Sequence, residues 1–68
     1  DFPFNLAKKY ILFETNRWDI ETTDNRLIKL PTKEYNYSLV SYLKFRNKSN
    51  FKKYKIFDYR IKDQLILK

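Results

Sequence analysis

An α+β fold is what this chain predicts: an antiparallel β-sheet of four to five strands with one amphipathic helix packed on one face, in the order β-β-β-α-β-β. Three observations lead there. Residues 9–14 and 17–22 are rich in β-branched and aromatic side chains, and the second stretch alternates apolar with polar residues. Residues 35–43 instead place Tyr35, Leu39, Tyr42 and Leu43 on one stripe at helical spacing. Two further apolar segments, 54–61 and 64–68, follow a polar break.

The elements follow in order. Residues 1–8 read as the remnant of a preceding helix or linker, with Pro3 opening a helical turn and Asp1 as its cap. Phe2, Phe4 and Leu6 there would be adhesive if left without partners. Residues 9–14 form the first strand, and Thr15-Asn16 the tight link to the second. Along 17–22, Trp18 and Ile20 point to one face and Arg17, Asp19 and Glu21 to the other. Thr23-Asp24-Asn25 supplies a hairpin turn with Asn25 at positive φ. The chain then returns over 26–30 with Ile28 and Leu30 inward.

Pro31 ends that strand, because it has no N–H for the ladder. Thr32 is the expected helix cap, and Glu34 in the first turn suits the positive end of the helix dipole. Lys33, Asn36, Ser41 and Lys44 face away from the apolar stripe. Residues 47–50 read as loop, 54–61 as a strand, Lys62-Asp63 as a turn and 64–68 as a terminal strand.

Composition bounds the chemistry. At 68 residues there is room for one small domain, burying about 60% of the surface its unfolded chain exposes. The chain begins at Asp1 without a signal-peptide pattern, so it reads as a fragment of something longer. Histidine and cysteine are both absent. That removes the commonest general base, the thiol nucleophile, most zinc sites and any disulfide. Without glycine no phosphate-cradling loop can form, and turns must use Asn, Asp, Thr and Lys. No enzymatic activity and no cofactor are expected.

The formal charge of +7 favours polyanionic partners in general. Lys8-Lys9, Lys44, Arg46, Lys48, Lys52-Lys53 and Lys55 are nevertheless scattered along several elements, which reads as a solvated surface. Six tyrosines and six phenylalanines among these cations open a second reading, a small basic domain that binds RNA or single-stranded DNA by stacking. Trp18, between charged neighbours on an alternating strand, is expected in the core beneath the helix stripe; an exposed aromatic hot spot is the alternative. Arg17, Asp19, Asp58 and Arg60 are expected to set register as cross-strand ion pairs, each worth roughly 0.2–1 kcal/mol; a partner surface is the alternative. Leu65-Ile66-Leu67 is continuously apolar at the end of the sheet. Such an edge is a template for another strand, from a partner or from a second copy of the chain; an edge strand that merely closes the sheet is the alternative.

Three phrases carry a resemblance: Asn16-Arg17-Trp18-Asp19-Ile20, Leu27-Ile28-Lys29-Leu30-Pro31 and Ile56-Phe57-Asp58-Tyr59-Arg60-Ile61. In order and spacing they resemble the C-terminal part of the periplasmic β domain of the bacterial cell-division family FtsQ/DivIB, over roughly residues 10–68. That family carries an RRWDL strand, a V-x-LP strand, a helix, then IDLR, PDR and a last apolar strand. Lys62 and Gln64 stand here where proline and arginine are common around Asp63. The resemblance implies a domain over 9–68 that belongs to a single-pass inner-membrane protein and lies on the periplasmic side. It implies a divisome scaffold that recruits FtsB, with FtsL, by strand addition. The partner-binding positions would be Tyr59, Arg60, Ile61, Gln64, Leu65, Ile66 and Leu67.

Overall fold

The computed structural model describes residues 2–68. Five strands, β1 (Ala7–Leu12), β2 (Trp18–Thr22), β3 (Leu27–Lys29), β4 (Ile56–Asp58) and β5 (Ile66–Leu67), form one sheet in sequence order. One α-helix among the described residues, α1 (Tyr35–Phe45), falls between β3 and β4. The α+β class, the single helix and the order β-β-β-α-β-β are those the residue pattern predicts.

Pairing departs from expectation at one seam. β1–β2, β2–β3 and β4–β5 are antiparallel, whereas β3 and β4 run parallel, so the sheet is mixed. The cause is α1. Its 11 residues carry the chain about 16 Å back along β3, so β4 enters in the direction of β3.

Boundaries shift for local reasons. β1 begins at Ala7, inside the segment expected to precede the domain, and a bulge between Ala7 and Lys9 adjusts its register. Phe4–Leu6 makes one 3-10 turn closed by the Leu6 amide on the Pro3 carbonyl (3.0 Å). Phe2 is half-buried against Tyr42, with ring centroids 6.0 Å apart. Asp1, the expected cap, lies outside the described residues, as does the side chain of Phe4. β4 is shorter than the predicted 54–61, and an unpredicted 3-10 turn, Phe51–Lys53, follows the loop. The helix starts after Glu34 rather than at Thr32, and Glu34 makes no side-chain cap bond.

Among the described residues four hold positive φ: Asn16, Asn25, Glu34 and Asp63. Three are Asn or Asp at predicted turns, where short polar side chains tolerate the left-handed region. Glu34 lacks that excuse and carries strain of about 1 kcal/mol.

The core lies between α1 and one sheet face. Ile20, Ile28 and Phe57 form a register row across β2, β3 and β4. Leu39 and Tyr42 cover that row from the helix, and Leu30, Phe51 and Tyr59 complete it. Aromatic contacts dominate: Tyr42 meets Phe57 edge-on at 5.0 Å, and Phe51 stacks on Phe57 at 5.4 Å. Burial pushes the Tyr42 hydroxyl up to about 12, with the Asp24 charge adding to the effect. Tyr35, expected on the buried stripe, is exposed at the helix start.

Trp18 is not core; it is 39% exposed. It shares the parity of Ile20, but cover over its own row stops at Leu30 on the neighbouring strand, whose amide bonds the Trp18 carbonyl, and does not extend sideways to Trp18. Tyr10 and Leu12 on β1 are exposed as well, and Leu12 pairs with Trp18.

Candidate functional site

Each free margin of the sheet has its own character. Among the described residues β5 pairs only with β4. Lys68 uses its N–H (3.1 Å) and its carbonyl (3.0 Å) on Ile56, so the antiparallel alternation turns the N–H and C=O of Leu67 and Leu65 away from β4. Ile66 is exposed, while Leu65 and Leu67 lean partly onto the core. A short strand is thereby left with outward backbone groups and an apolar flank.

Beside this edge an open cleft of about 750 Å³ lies between α1 and the segment joining β4 to β5. Tyr37, Ser38 and Ser41 line one wall; Arg60, Ile61, Gln64 and Leu65 line the other, with Tyr59 between them. Of the seven expected binding positions, Arg60, Ile61, Gln64 and Ile66 are exposed, and Leu65 and Leu67 are half-buried. Tyr59 is 7% exposed and its hydroxyl lies 3.4 Å from Ser41 Oγ, so its ring belongs to the core and to the cleft floor. Burial raises its hydroxyl pKa, partly offset by the Ser41 contact.

The Arg–carboxylate pairs form, but along strands rather than across them. Arg17 binds Asp19, two residues away. Arg60 grips Asp58 through Nε (2.9 Å) and Nη2 (2.7 Å), and the Arg60 amide donates to the same carboxylate (3.0 Å). β3 separates the two strands, so the cross-strand partner is Lys29, in register with both Asp19 and Asp58. The result is a row of alternating charge on the sheet face opposite α1. The Arg60 hydrogen bond leads in lowering the Asp58 pKa, against the opposing pull of burial. Leu30 and Pro31 close this end of β3, the Leu30 amide bonding the Trp18 carbonyl at 3.0 Å.

Arg26 was not expected to matter, and it is buried. Its Nε donates to the Tyr54 carbonyl (3.0 Å), Nη2 to the Lys52 carbonyl (3.4 Å) and Nη1 to Asp24, while the guanidinium stacks 4.5 Å from the Phe51 ring. Thr22 Oγ1 binds Asp24 as well. Burial opposes ionisation of Asp24, but Thr22 and Arg26 outweigh it and lower its pKa. This cluster ties the β2–β3 hairpin to the 3-10 turn. An Arg opening a strand beside Asp24 was the one available signal.

The ingredients of a stacking surface are largely separated. Tyr10 and Trp18 are exposed on β1 and β2, where Lys8 pairs with Glu21 and Arg17 with Asp19. Phe45, Phe51 and Tyr54, among the cations of the C-terminal half, pack inward. No group of three or more acidic side chains is placed to hold a metal, and no helix is long and apolar enough to cross a membrane, among the described residues. Comparison with protein families, with curated proteins and with solved structures finds no match to this chain.

Proposed function

We propose that this chain is a non-enzymatic binding module whose β5 edge accepts a strand from a partner protein. The observation that carries the reading is the outward set of backbone groups at Leu65 and Leu67, beside the cleft under Tyr37 and Ser41. Backbone pairing would supply affinity, and the cleft would select a side chain or a flanking segment of the partner. The resemblance to FtsQ/DivIB supports FtsB, acting with FtsL at the division septum, as the proposed partner, with the module on the periplasmic side of the inner membrane.

The test is a titration of the chain with a labelled FtsB peptide. Ile66→Lys puts a charge on the exposed edge and is expected to abolish binding while leaving the helix signal unchanged. Leu67→Pro removes an outward donor but none of the Ile66 or Lys68 bonds to β4, and is expected to weaken binding at least tenfold. Unaltered affinity in both variants refutes strand addition at β5. Tyr59→Lys is a poor probe, because it would place a charge in the core.

A further inference from the structure

The +7 charge is not spread evenly. Residues 1–34 hold six basic and six acidic side chains, whereas 35–68 hold nine basic and only two acidic. Folding sharpens this split. Of the two acidic residues of the second half, Asp58 is gripped by Arg60, and Asp63 lies with Lys62 beside the α1 N-terminal end. The remaining cations, Lys44, Arg46, Lys48, Lys52, Lys53, Lys55 and Lys68, belong to the opposite end.

Backbone geometry holds them there. The Phe51 amide bonds the Lys48 carbonyl (3.2 Å), and the Lys55 amide bonds the Lys68 carbonyl (2.7 Å). Arg46 sits 5.9 Å from the Phe51 ring. The end of α1, the 3-10 turn, the start of β4 and the end of β5 therefore meet around Phe51. All seven side chains are exposed, and none forms an ion pair among the described residues. Asp24, at the same end, is engaged by Arg26 and Thr22.

Along the adjoining flank of α1, Tyr37 (77% exposed) and Val40 share a shallow groove with Lys44, Phe45 and Lys48. An exposed ring and an aliphatic group flanked by lysines is the arrangement that settles at a lipid headgroup boundary, the rings inserted and the ammonium groups among phosphates. A stacking surface for nucleic acid would need several rings in succession between the cations, and here Tyr37 stands alone while Phe45, Phe51 and Tyr54 turn inward. Six of the seven cations are lysines, which meet phosphate as point charges rather than through a planar fork.

We propose that this basic end docks peripherally on an anionic phospholipid surface, with Tyr37 and Val40 at the headgroup boundary. Neither this contact nor strand capture at β5 requires the other.

Co-sedimentation of the 68-residue chain with phosphatidylglycerol-containing vesicles tests it. Binding is expected to the anionic vesicles, to be absent with pure phosphatidylcholine, and to fall steeply with added salt. The triple change Lys52→Gln, Lys53→Gln, Lys55→Gln should lower partitioning roughly 100-fold, about fivefold per charge. Lys8→Gln with Lys9→Gln, on β1, should change it less than about twofold. Tyr37→Ser with Val40→Ser should weaken lipid binding without flattening its salt dependence. Equal binding to neutral vesicles overturns the proposal, as does equal loss in the β1 variant. So does tighter binding to a DNA or RNA oligonucleotide that the Tyr37/Val40 change leaves untouched. Circular dichroism of each variant separates lost binding from lost fold.

Discussion

Replacing Arg26 by methionine keeps most of the side-chain volume and removes the guanidinium. The Tyr54 carbonyl then loses a charge-assisted donor at 3.0 Å, a bond worth about 1.5–3 kcal/mol. The longer contact to Lys52 and the half-exposed Asp24 partner add about 0.5 kcal/mol each. Losing the cation over the Phe51 ring at 4.5 Å costs about 1 kcal/mol more. Against this, the variant no longer desolvates a charge, which returns about 1–2 kcal/mol. The net expectation is a destabilisation of about 3 kcal/mol. A 68-residue domain has only about 3–10 kcal/mol to lose, so the effect is large. Urea denaturation followed by circular dichroism reads it: with a slope near ~1 kcal/mol/M, the midpoint falls by about 3 M. Arg26→Lys keeps the charge but not the fork, and belongs between wild type and methionine. A midpoint within about 0.3 M of wild type in the methionine variant would show that the hairpin and the 3-10 turn are held by packing alone.

Further predictions concern titration, strain and exposure. Tyr42 has a folded pKa of about 12 against about 10 unfolded, so its stabilisation is complete below pH ~10 and lost as pH rises through ~12, a loss of about 3 kcal/mol at most. Tyr42→Phe should flatten that alkaline limb in pH-dependent urea melts. Asp58 has a depressed folded pKa, so its contribution is present above the unfolded value near 3.8 and disappears as pH falls through the folded one. Asp58→Asn should be destabilised at neutral pH and lose little more on acidification. Glu34→Asn relieves the left-handed strain, and should raise the urea midpoint by the equivalent of about 0.5–1 kcal/mol. Trp18 fluorescence should be red-shifted and readily quenched by acrylamide; a blue-shifted, protected emission would place the indole in the core.

Most of the framework was legible because it rests on local rules. Alternation along 17–22 located Ile20 on the inner face, helical spacing located Leu39 and Tyr42, and Asn25 announced the hairpin. What escaped depends on the reach of one element over another. The parity of Trp18 was legible, but the sideways limit of α1 cover was not, because strand parity names a face without saying how far the helix extends across it. Arg26 looked like an ordinary strand-opening cation; its burial needs Phe51 and the Tyr54 carbonyl, 25 and 28 residues away. The parallel seam between β3 and β4 follows from helix length relative to strand length. Strand pattern alone is silent about direction. The gathering of seven cations at one end was likewise hidden, since they come from four segments that meet only around Phe51.

The strand order 1-2-3-4-5 has a kinetic corollary. Three of the four seams join segments connected by short turns, so they can close on microsecond timescales with small entropy losses. The remaining seam, Leu27 against Ile56, must wait for the whole intervening crossover to coil and fold back. Arrival of β4 is thus the natural rate-limiting event, and Phe57, which enters with it, is where substitutions should slow refolding most.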